Sequence, residues 1–273
     1  MVHSKPQNNN SFSPNQRAYL VRHHQHHHRI SFARLLLLVF FLSLWETAAR
    51  LAWIDSFFFS SPSAILTYLA QMLRDYTFFT HTGITLLETV LSFLLVTFFS
   101  LLCSTLLWYQ KSLSEILEPY LVVLNSLPKS ALAPLLIVWL GTGTNTIIVA
   151  GISVAVFGSI ISLYTGFCQA DPEMLKLIYT LGGNRRDAFF KVIFPSSIPL
   201  ILSNMKINIG LSLVGVIIGE FLAARRGLGY LIIYGSQVFQ LNMVITSILI
   251  LCAIAMCFYK LIQSLEHFYR KKI

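Results

Sequence analysis

Charge is what this sequence has least of. Of its 273 residues only 11% are Asp, Glu, Lys or Arg, while 55% are hydrophobic. A soluble domain carries about 25% charged residues, so too few polar side chains remain here to cover a water-facing surface. That excludes an ordinary soluble protein. Cysteine is scarce too. Cys103, Cys168, Cys252 and Cys257 lie in or beside apolar runs with no CxxC pair, which reads as small buried hydrophobes without a disulfide framework. Catalytic clusters are missing from the apolar stretches: in the second to fifth of them only Glu88, Lys129, Lys206 and Glu220 are charged, and the histidines beyond the N-terminal region are His81 and His267. An intramembrane enzyme needs a convergent acid, base or nucleophile, so that class is excluded. No internal repeat is evident, which counts against a stand-alone secondary carrier. Such a carrier or channel is the alternative reading.

What is present is a series of long apolar runs. Crossing a bilayer takes about 20 predominantly apolar residues, and six runs meet that length. The expected fold class is therefore all-α, a polytopic membrane protein with six transmembrane helices at about 33–54, 82–108, 120–140, 144–164, 197–222 and 241–262. Residues 1–31 are polar and expected to form a disordered tail, leaving 32–273 as the membrane domain. The first apolar run begins near Leu35, too far from Met1 for a cleavable signal, and is expected to remain as an anchor. The tail carries HHQHHH, with His23, His24, His26, His27 and His28. A metal could bind such a tract, but no Cys or carboxylate stands beside it to fix a geometry, and a solvated tail is the simpler reading; no metal site is assigned. Between the first two spans, Ser61 can cap a helix and Pro62 suits its first position. Ile65, Leu66, Leu69, Met72 and Leu73 share one face of it, the pattern of a helix lying at the membrane interface.

The net charge of +9 is placed for a membrane rather than for nucleic acid. Lys5, Arg17, Arg22, Arg29 and Arg34 precede or open the first span, and Lys111 joins the second to the third. Lys176, Arg185, Arg186 and Lys191 sit in the fourth connection, and Lys260, Arg270, Lys271 and Lys272 close the chain. The opposite side holds only Arg74, Arg225 and Arg226. The excess of Lys and Arg marks the cytoplasmic face, so both termini and the fourth connection are expected in the cytoplasm.

That connection is the one elaborately punctuated stretch, residues 168–195, ending LGGNRRDAFFKVIFP. Asp171 is a good N-cap, Pro172 fits the first helical position, and Glu173 suits the positive end of the helix dipole. Gly182 and Gly183 stop that helix. Asn184 then caps a second helix with Asp187 three residues on, and Pro195 is expected to end it. Leu175, Ile178, Tyr179 and Leu181 give the first helix an oily side; Phe189, Phe190 and Val192 do so for the second. A capped elbow with oily and charged faces is built to dock against another protein.

These residues carry a resemblance. Gly182, nine residues, then Val192-Ile193-Phe194-Pro195 before an apolar span resembles the cytoplasmic coupling loop of ABC importer permeases, whose pattern is Glu-Ala-Ala, three residues, Gly, nine residues, Ile-x-Leu-Pro. Lys176, Leu177 and Ile178 stand at the triplet's positions. SLPKSALAPLLIVWLGTG (126–143), GVIIGEFLAARRGLGYLI (215–232), SPSAI and HTGITLLETV are similar to the nitrate, sulfonate, taurine and pyrimidine-precursor branch of those permeases. The resemblance runs from about Trp45 to Lys271. It implies an inner-membrane permease subunit that pairs with a second copy and forms the path for a small solute. That solute is an organic or inorganic anion such as a sulfonate, taurine or nitrate, or a pyrimidine or vitamin precursor. It implies two ABC ATPase subunits seated on the elbows, contacted by Lys176, Leu177, Ile178, Gly182, Gly183, Arg185, Arg186 and Phe189, and an external solute-binding protein. The chain contains no GxxxxGK[ST] loop, so ATP and Mg are expected on the partner ATPase and no cofactor on this chain; lipid surrounds it.

Charged residues inside spans are costly and usually face a cavity or a partner. Lys129 reads either as an attractor of an anionic solute or partner, or as a side chain snorkelling to the headgroups. Lys206 is placed to snorkel as well. Glu220, near Arg225 and Arg226, reads as a paired group at the outer gate or as a structural tie, and Glu88 has no evident partner. Pro128 and Pro134 interrupt the third span and free backbone carbonyls, which is tolerable beside a water-filled path. Pro128, Lys129, Pro134, Lys206 and Glu220 are therefore the expected path residues. Gly215 and Gly219 form GxxxG, and Gly151, Ala155 and Gly158 a small-residue side, both read as tight helix packing.

Overall fold

The computed structural model describes residues 14–270, and among them helices are joined by short turns without a strand. The chain divides into two units, one ending at Ala64 and one beginning at Ile65. The first unit holds α1 (Pro14–Arg50), α2 (Ser56–Phe59) and the first turn of α3 (Pro62–Arg74). Helix α1 is longer than the apolar run, because nothing between Pro14 and Phe32 breaks its register; residues 14–31 are helical where a disordered tail is expected from composition. Residues 1–13 and the side chains of the histidine tract lie outside the described residues. The start of α3 is capped as its sequence predicts: Ala64 N donates to Ser61 Oγ at 3.2 Å. Glu46 of α1 adds to the cap, accepting from Ser63 N at 3.0 Å and from Ser63 Oγ at 2.9 Å.

The second unit contains α4 (Thr77–Tyr109), α5 (Lys111–Ser126), α6 (Lys129–Leu140), α7 (Thr144–Cys168), α8 (Pro172–Thr180), α9 (Arg185–Ala188), α10 (Phe194–Ala223), α11 (Leu228–Gln237) and α12 (Leu241–Arg270). Helices α4, α7 and α10 pack as its centre. Small residues set their spacing. A Cβ on Gly215 would stand 2.7 Å from Gly151 Cα and 2.9 Å from Ala150 O, so α10 and α7 touch backbone to backbone there. Among the described residues five helices are long and apolar enough to cross a membrane, including Phe32–Arg50 of the first unit, and six segments are if α5 and α6 count as one.

The structure corrects the expected boundaries at two places. The third span is not one helix from residue 120 to 140. It is α5 and α6, bent by 96° at the break. The residue before a proline is pushed out of the helical region, and Leu127 accordingly has φ −62° and ψ 138° ahead of Pro128. Pro195 does not end a helix. A π turn over Phe189–Ile193 joins α9 to α10, with Phe194 N donating back to Phe189 O. That widened ladder has already shifted its bonding when the proline arrives, so the missing N–H breaks nothing. Finally, α11 fills the stretch between the expected fifth and sixth spans. Its run LGYLIIYGSQ is too short to signal a crossing, and it folds against α12, with Leu228, Leu231, Met243, Ile250, Leu251 and Ile254 in one buried cluster.

Candidate functional site

The elbow is built largely from local chemistry. Asp171 Oδ1 accepts from Glu173 N at 2.9 Å, with Pro172 in the first helical position of α8. Gly182 takes φ +79°, a conformation open to glycine, and Gly183 N closes the turn on Ile178 O at 2.9 Å. Asn184 Oδ1 then accepts from Arg186 N at 2.8 Å and Asp187 N at 3.0 Å, while Asp187 Oδ2 accepts from Asn184 N at 3.0 Å. This is the reciprocal capping box expected from the sequence. The continuous helical stretch 185–223 has 39 residues, whereas about 20 span the hydrocarbon; the excess falls in its first turns, where Arg185, Arg186, Asp187 and Lys191 cluster and burial in lipid would be costly. There the Lys191 ammonium, 2.8 Å away, and the Asn184 N–H hold the Asp187 carboxyl below its ordinary range.

An aromatic seat fixes this elbow to the bundle. The Phe189 ring is buried, 5.4 Å from Trp108, 5.5 Å from Tyr109, 5.7 Å from Phe167 and 6.1 Å from Phe194, measured between centroids. Arg185 reaches the same place. Its Nη2 donates to Trp108 O at 2.9 Å, and its guanidinium carbon lies 5.1 Å from the Trp108 ring centroid. Two residues expected to contact a partner thus serve the elbow's own seat: Phe189, an oily residue of a two-residue aromatic run, turns inward and leaves Phe190 outward, 65% exposed. Helix α8 has no buried residue, and Met174, Leu177, Tyr179 and Leu181 lie open beside Lys176. Ile178 is half-buried against the Gly183 turn, and Arg186 is exposed.

At the other end of the bundle the polar groups are buried and paired over long sequence distances. Glu220 is fully buried; its Oε1 accepts from Thr85 Oγ1 at 2.7 Å and its Oε2 from Gly229 N. Thr85 Oγ1 also accepts from Leu228 N at 2.8 Å, and His81 Nδ1 from Gly227 N at 3.0 Å. Glu220 and two residues of α4 therefore satisfy the free N–H groups at the start of α11. This is the structural tie, directed at backbone; Arg225 and Arg226 form no ion pair among the described residues. Glu88 has a neighbour after all, since its carboxyl stands against Glu220 and Thr144. Beside it opens a cavity of about 520 Å³ whose walls include Glu88, Thr142, Gly143, Thr144, Arg225 and Arg226.

The five expected path residues do not converge. Pro128 and Lys129 form the α5–α6 break, where Lys129 Nζ donates to Leu124 O at 2.7 Å and also to Asn125 O, satisfying carbonyls left free at the end of α5. It does not line the cavity beside Glu88. Pro134 lies within α6 and is exposed. Lys206 is paired with Glu266 of α12, with the Tyr259 ring 5.9 Å from its Nζ. None of the five, Glu220 included, lines the cavity. Sequence reasoning assigned His81 no role and did not single out Trp108, Thr85 or the buried trio Ser159, Asn204 and Asn208, in which Asn208 Nδ2 donates to Ser159 Oγ at 2.9 Å. Polar residues inside an apolar run were the available signal for the trio; Trp108 carried none.

Comparison with known proteins decides the family. Residues 96–271 match the family described as the binding-protein-dependent transport system inner membrane component. The chain belongs to that family. The permease is 31% identical over 236 residues, 85% of its length and 94% of the other's, to a probable ABC transporter permease protein of Haemophilus influenzae. It is 29% identical, over 70% of its length and 77% of the other's, to the formylaminopyrimidine transport permease of Halalkalibacterium halodurans. To the taurine transport system permease of Escherichia coli it is 25% identical, over 78% and 80% of the two chains. A solved amino acid ABC transporter crystallised with histidines shares the fold, with TM-score 0.55 and 17% identity over 75% of this chain and 98% of that one. The permease is thus a multi-pass inner-membrane subunit of a binding-protein-dependent ABC importer. Its relatives are permease subunits rather than enzymes, and its family works with a binding protein.

Proposed function

We propose that this permease pairs with a second copy, carries a small solute inward across the inner membrane, and draws the energy from ATP hydrolysed with Mg on two separate ABC ATPase subunits. The observation that carries this reading is the elbow: a rigidly capped helix pair, anchored by a buried aromatic seat, that leaves Met174, Leu177, Tyr179, Leu181 and Phe190 open on its outer face. A linker needs neither caps nor an anchor. Lys176, Leu177, Ile178 and Arg186 meet the ATPase, with the turn at Gly182 and Gly183 setting the angle between the two elbow helices. Arg185 and Phe189 carry the ATPase's movement into α4, α7 and α10 through Trp108.

The elbow and both termini face the cytoplasm, in keeping with the Lys and Arg excess on that side, and an external solute-binding protein delivers the solute at the Glu220 end. Exposed Val123, Leu135, Val138 and Trp139 on the broken α5–α6 pair suit contact with the second permease, so that Pro128, Lys129 and Pro134 border the shared path. The solutes named for the relatives set the class: a small sulfonate or a pyrimidine precursor.

The test is crosslinking. With single cysteines at Leu177 and Leu181 in an otherwise cysteine-free permease, a membrane-impermeant crosslinker applied to inverted vesicles should capture a P-loop ATPase identified by mass spectrometry. Efficient labelling of those cysteines from the outside of intact cells, or capture of no ATPase by a folded and active permease, would return the weight to a stand-alone carrier.

A further inference from the structure

Glu88 of α4 and Glu220 of α10 are 1% and 0% exposed, and their carboxyls lie within hydrogen-bonding reach of each other. Ionised carboxylates only accept, so two of them cannot be joined unless one carries a proton. The surroundings say which one. Glu220 has a donor at each oxygen, Thr85 Oγ1 at Oε1 and Gly229 N at Oε2, which is the environment of a carboxylate. The space for it is built in: a Cβ on Gly227 would stand 2.4 Å from Glu220 Cδ, and one on Gly229 would stand 2.8 Å from Glu220 Cβ. Glu88 has no such supply. Among the described residues no N–H or O–H group donates to its buried Oε2, and a buried carboxylate oxygen without a donor is costly. A protonated Glu88 avoids that cost and becomes a donor to Glu220. Thr144 joins the pair to the outside, since it is in hydrogen-bond contact with Glu88 and is itself exposed on the cavity wall.

We propose that Glu88 and Glu220 form a single proton-binding site, with Glu88 the acid and Glu220 the carboxylate that accepts from it. The ligand is the proton itself. It joins α4 to α10 and, through Gly229, to the start of α11. On release the Glu88 O–H bond breaks, Thr144 Oγ1 takes that proton and passes its own to water in the cavity. Two adjacent buried negative charges remain, and their repulsion loosens the tie. The other titratable groups at this end are few. His81 of α4 is engaged through Nδ1 with Gly227 and stacked on Tyr230 of α11, which stacks in turn on Tyr234. Arg225 and Arg226 share the cavity wall and form no ion pair with either carboxyl. Helix α7 and the first turns of α12 add no charge, Lys129 of α6 is held at the break with α5, and Lys206 of α10 is paired with Glu266. The importer reading sets only the side of the membrane from which the proton comes; the pairing rests on the two carboxyls.

The test uses the full-length permease with its co-purified ATPase in lipid nanodiscs, and its first readout is infrared difference spectroscopy. At neutral pH the unaltered permease should show the C=O stretch of one protonated carboxyl, and Glu88→Gln should remove it. Thr144→Val should keep that band and slow its shift on transfer to D2O. The second readout is amide exchange. Protection at Leu228 and Gly229 should fall at least about tenfold from neutral to alkaline pH in the unaltered permease. In Glu88→Gln it should stay level, because the amide N–H donates to Glu220 at any pH, whereas Glu220→Gln should lower it at every pH. No protonated carboxyl at neutral pH, a band that survives Glu88→Gln, or one that appears only after a chelator strips a metal cation from the pair would overturn the proposal. So would Glu88→Gln loosening the tie as much as Glu220→Gln. The spectrum and the alkaline loss of protection in the unaltered permease do not depend on either variant folding. ATP hydrolysis is measured on the same nanodiscs. Active ATPase without the band sinks the proton site and spares the importer reading, whereas the band in a preparation that retains no ATPase does the reverse.

Discussion

The two ends of the bundle solve one problem in two ways. Both must satisfy the free N–H groups at the start of a short helix. At the elbow the partners are neighbours in sequence: Asp171 serves Glu173, and Asn184 serves Arg186 and Asp187. At the opposite end they come from across the fold, Thr85 reaching Leu228 over 143 residues and His81 reaching Gly227 over 146. A locally capped element keeps its shape when the surroundings move. One capped by another helix moves with that helix or comes apart. The elbow can therefore be pushed as a unit, while the α10–α11 turn stays bound to α4.

The contrast can be broken first at the elbow's anchor. Phe189→Ala removes a buried aromatic side chain, a loss of about 3–5 kcal/mol. A lower unfolding midpoint in detergent should accompany ATP hydrolysis that no longer drives uptake in proteoliposomes; unchanged coupling would mean that the seat transmits nothing. At the other end, Glu220→Ala leaves Gly229 N and Thr85 Oγ1 without their acceptor, at a cost of about 1–3 kcal/mol for each buried group. Amide exchange should then quicken at Leu228 and Gly229 while the elbow's amides keep their protection. Equal loosening at both ends would erase the difference between them.

Smaller effects sharpen the comparison. Asn184→Ala should cost about 1 kcal/mol, the usual value of an N-cap, confined to exchange at Arg186 and Asp187. Acid should act on the same box. The folded-state pKa of Asp187 is depressed, so its stabilisation is present above the unfolded-state pKa and is lost as pH falls through the folded value. Elbow protection should fall below about pH 4; protection that rises with acid would refute the assignment. Smallest in stability is Leu177→Asp, an exposed change expected within about 0.5 kcal/mol. Its midpoint should stay put while ATPase recovery with the permease drops. A retained ATPase would move the docking face elsewhere on the elbow.

The amino-acid sequence alone determined what depends on neighbours within a turn or two and on composition. Membrane character, the number of apolar segments, the caps at Ser61, Asp171 and Asn184, the turn at Gly182 and the family pattern around the elbow were all legible there, because hydropathy and capping act over short spans of chain. The tertiary structure decided the rest. The inward turn of Phe189 depended on Trp108, Tyr109 and Phe167 being already in place to receive it. Pro128 signalled a break, but its 96° angle came from how α6 packs on α7 and α10. Glu88 and Glu220 are far apart in sequence and carry no mark of each other, and Lys206 gives no sign of Glu266. Inside an apolar bundle a polar group must find whichever partner the packing brings within reach, and an order of residues along one chain does not contain that distance.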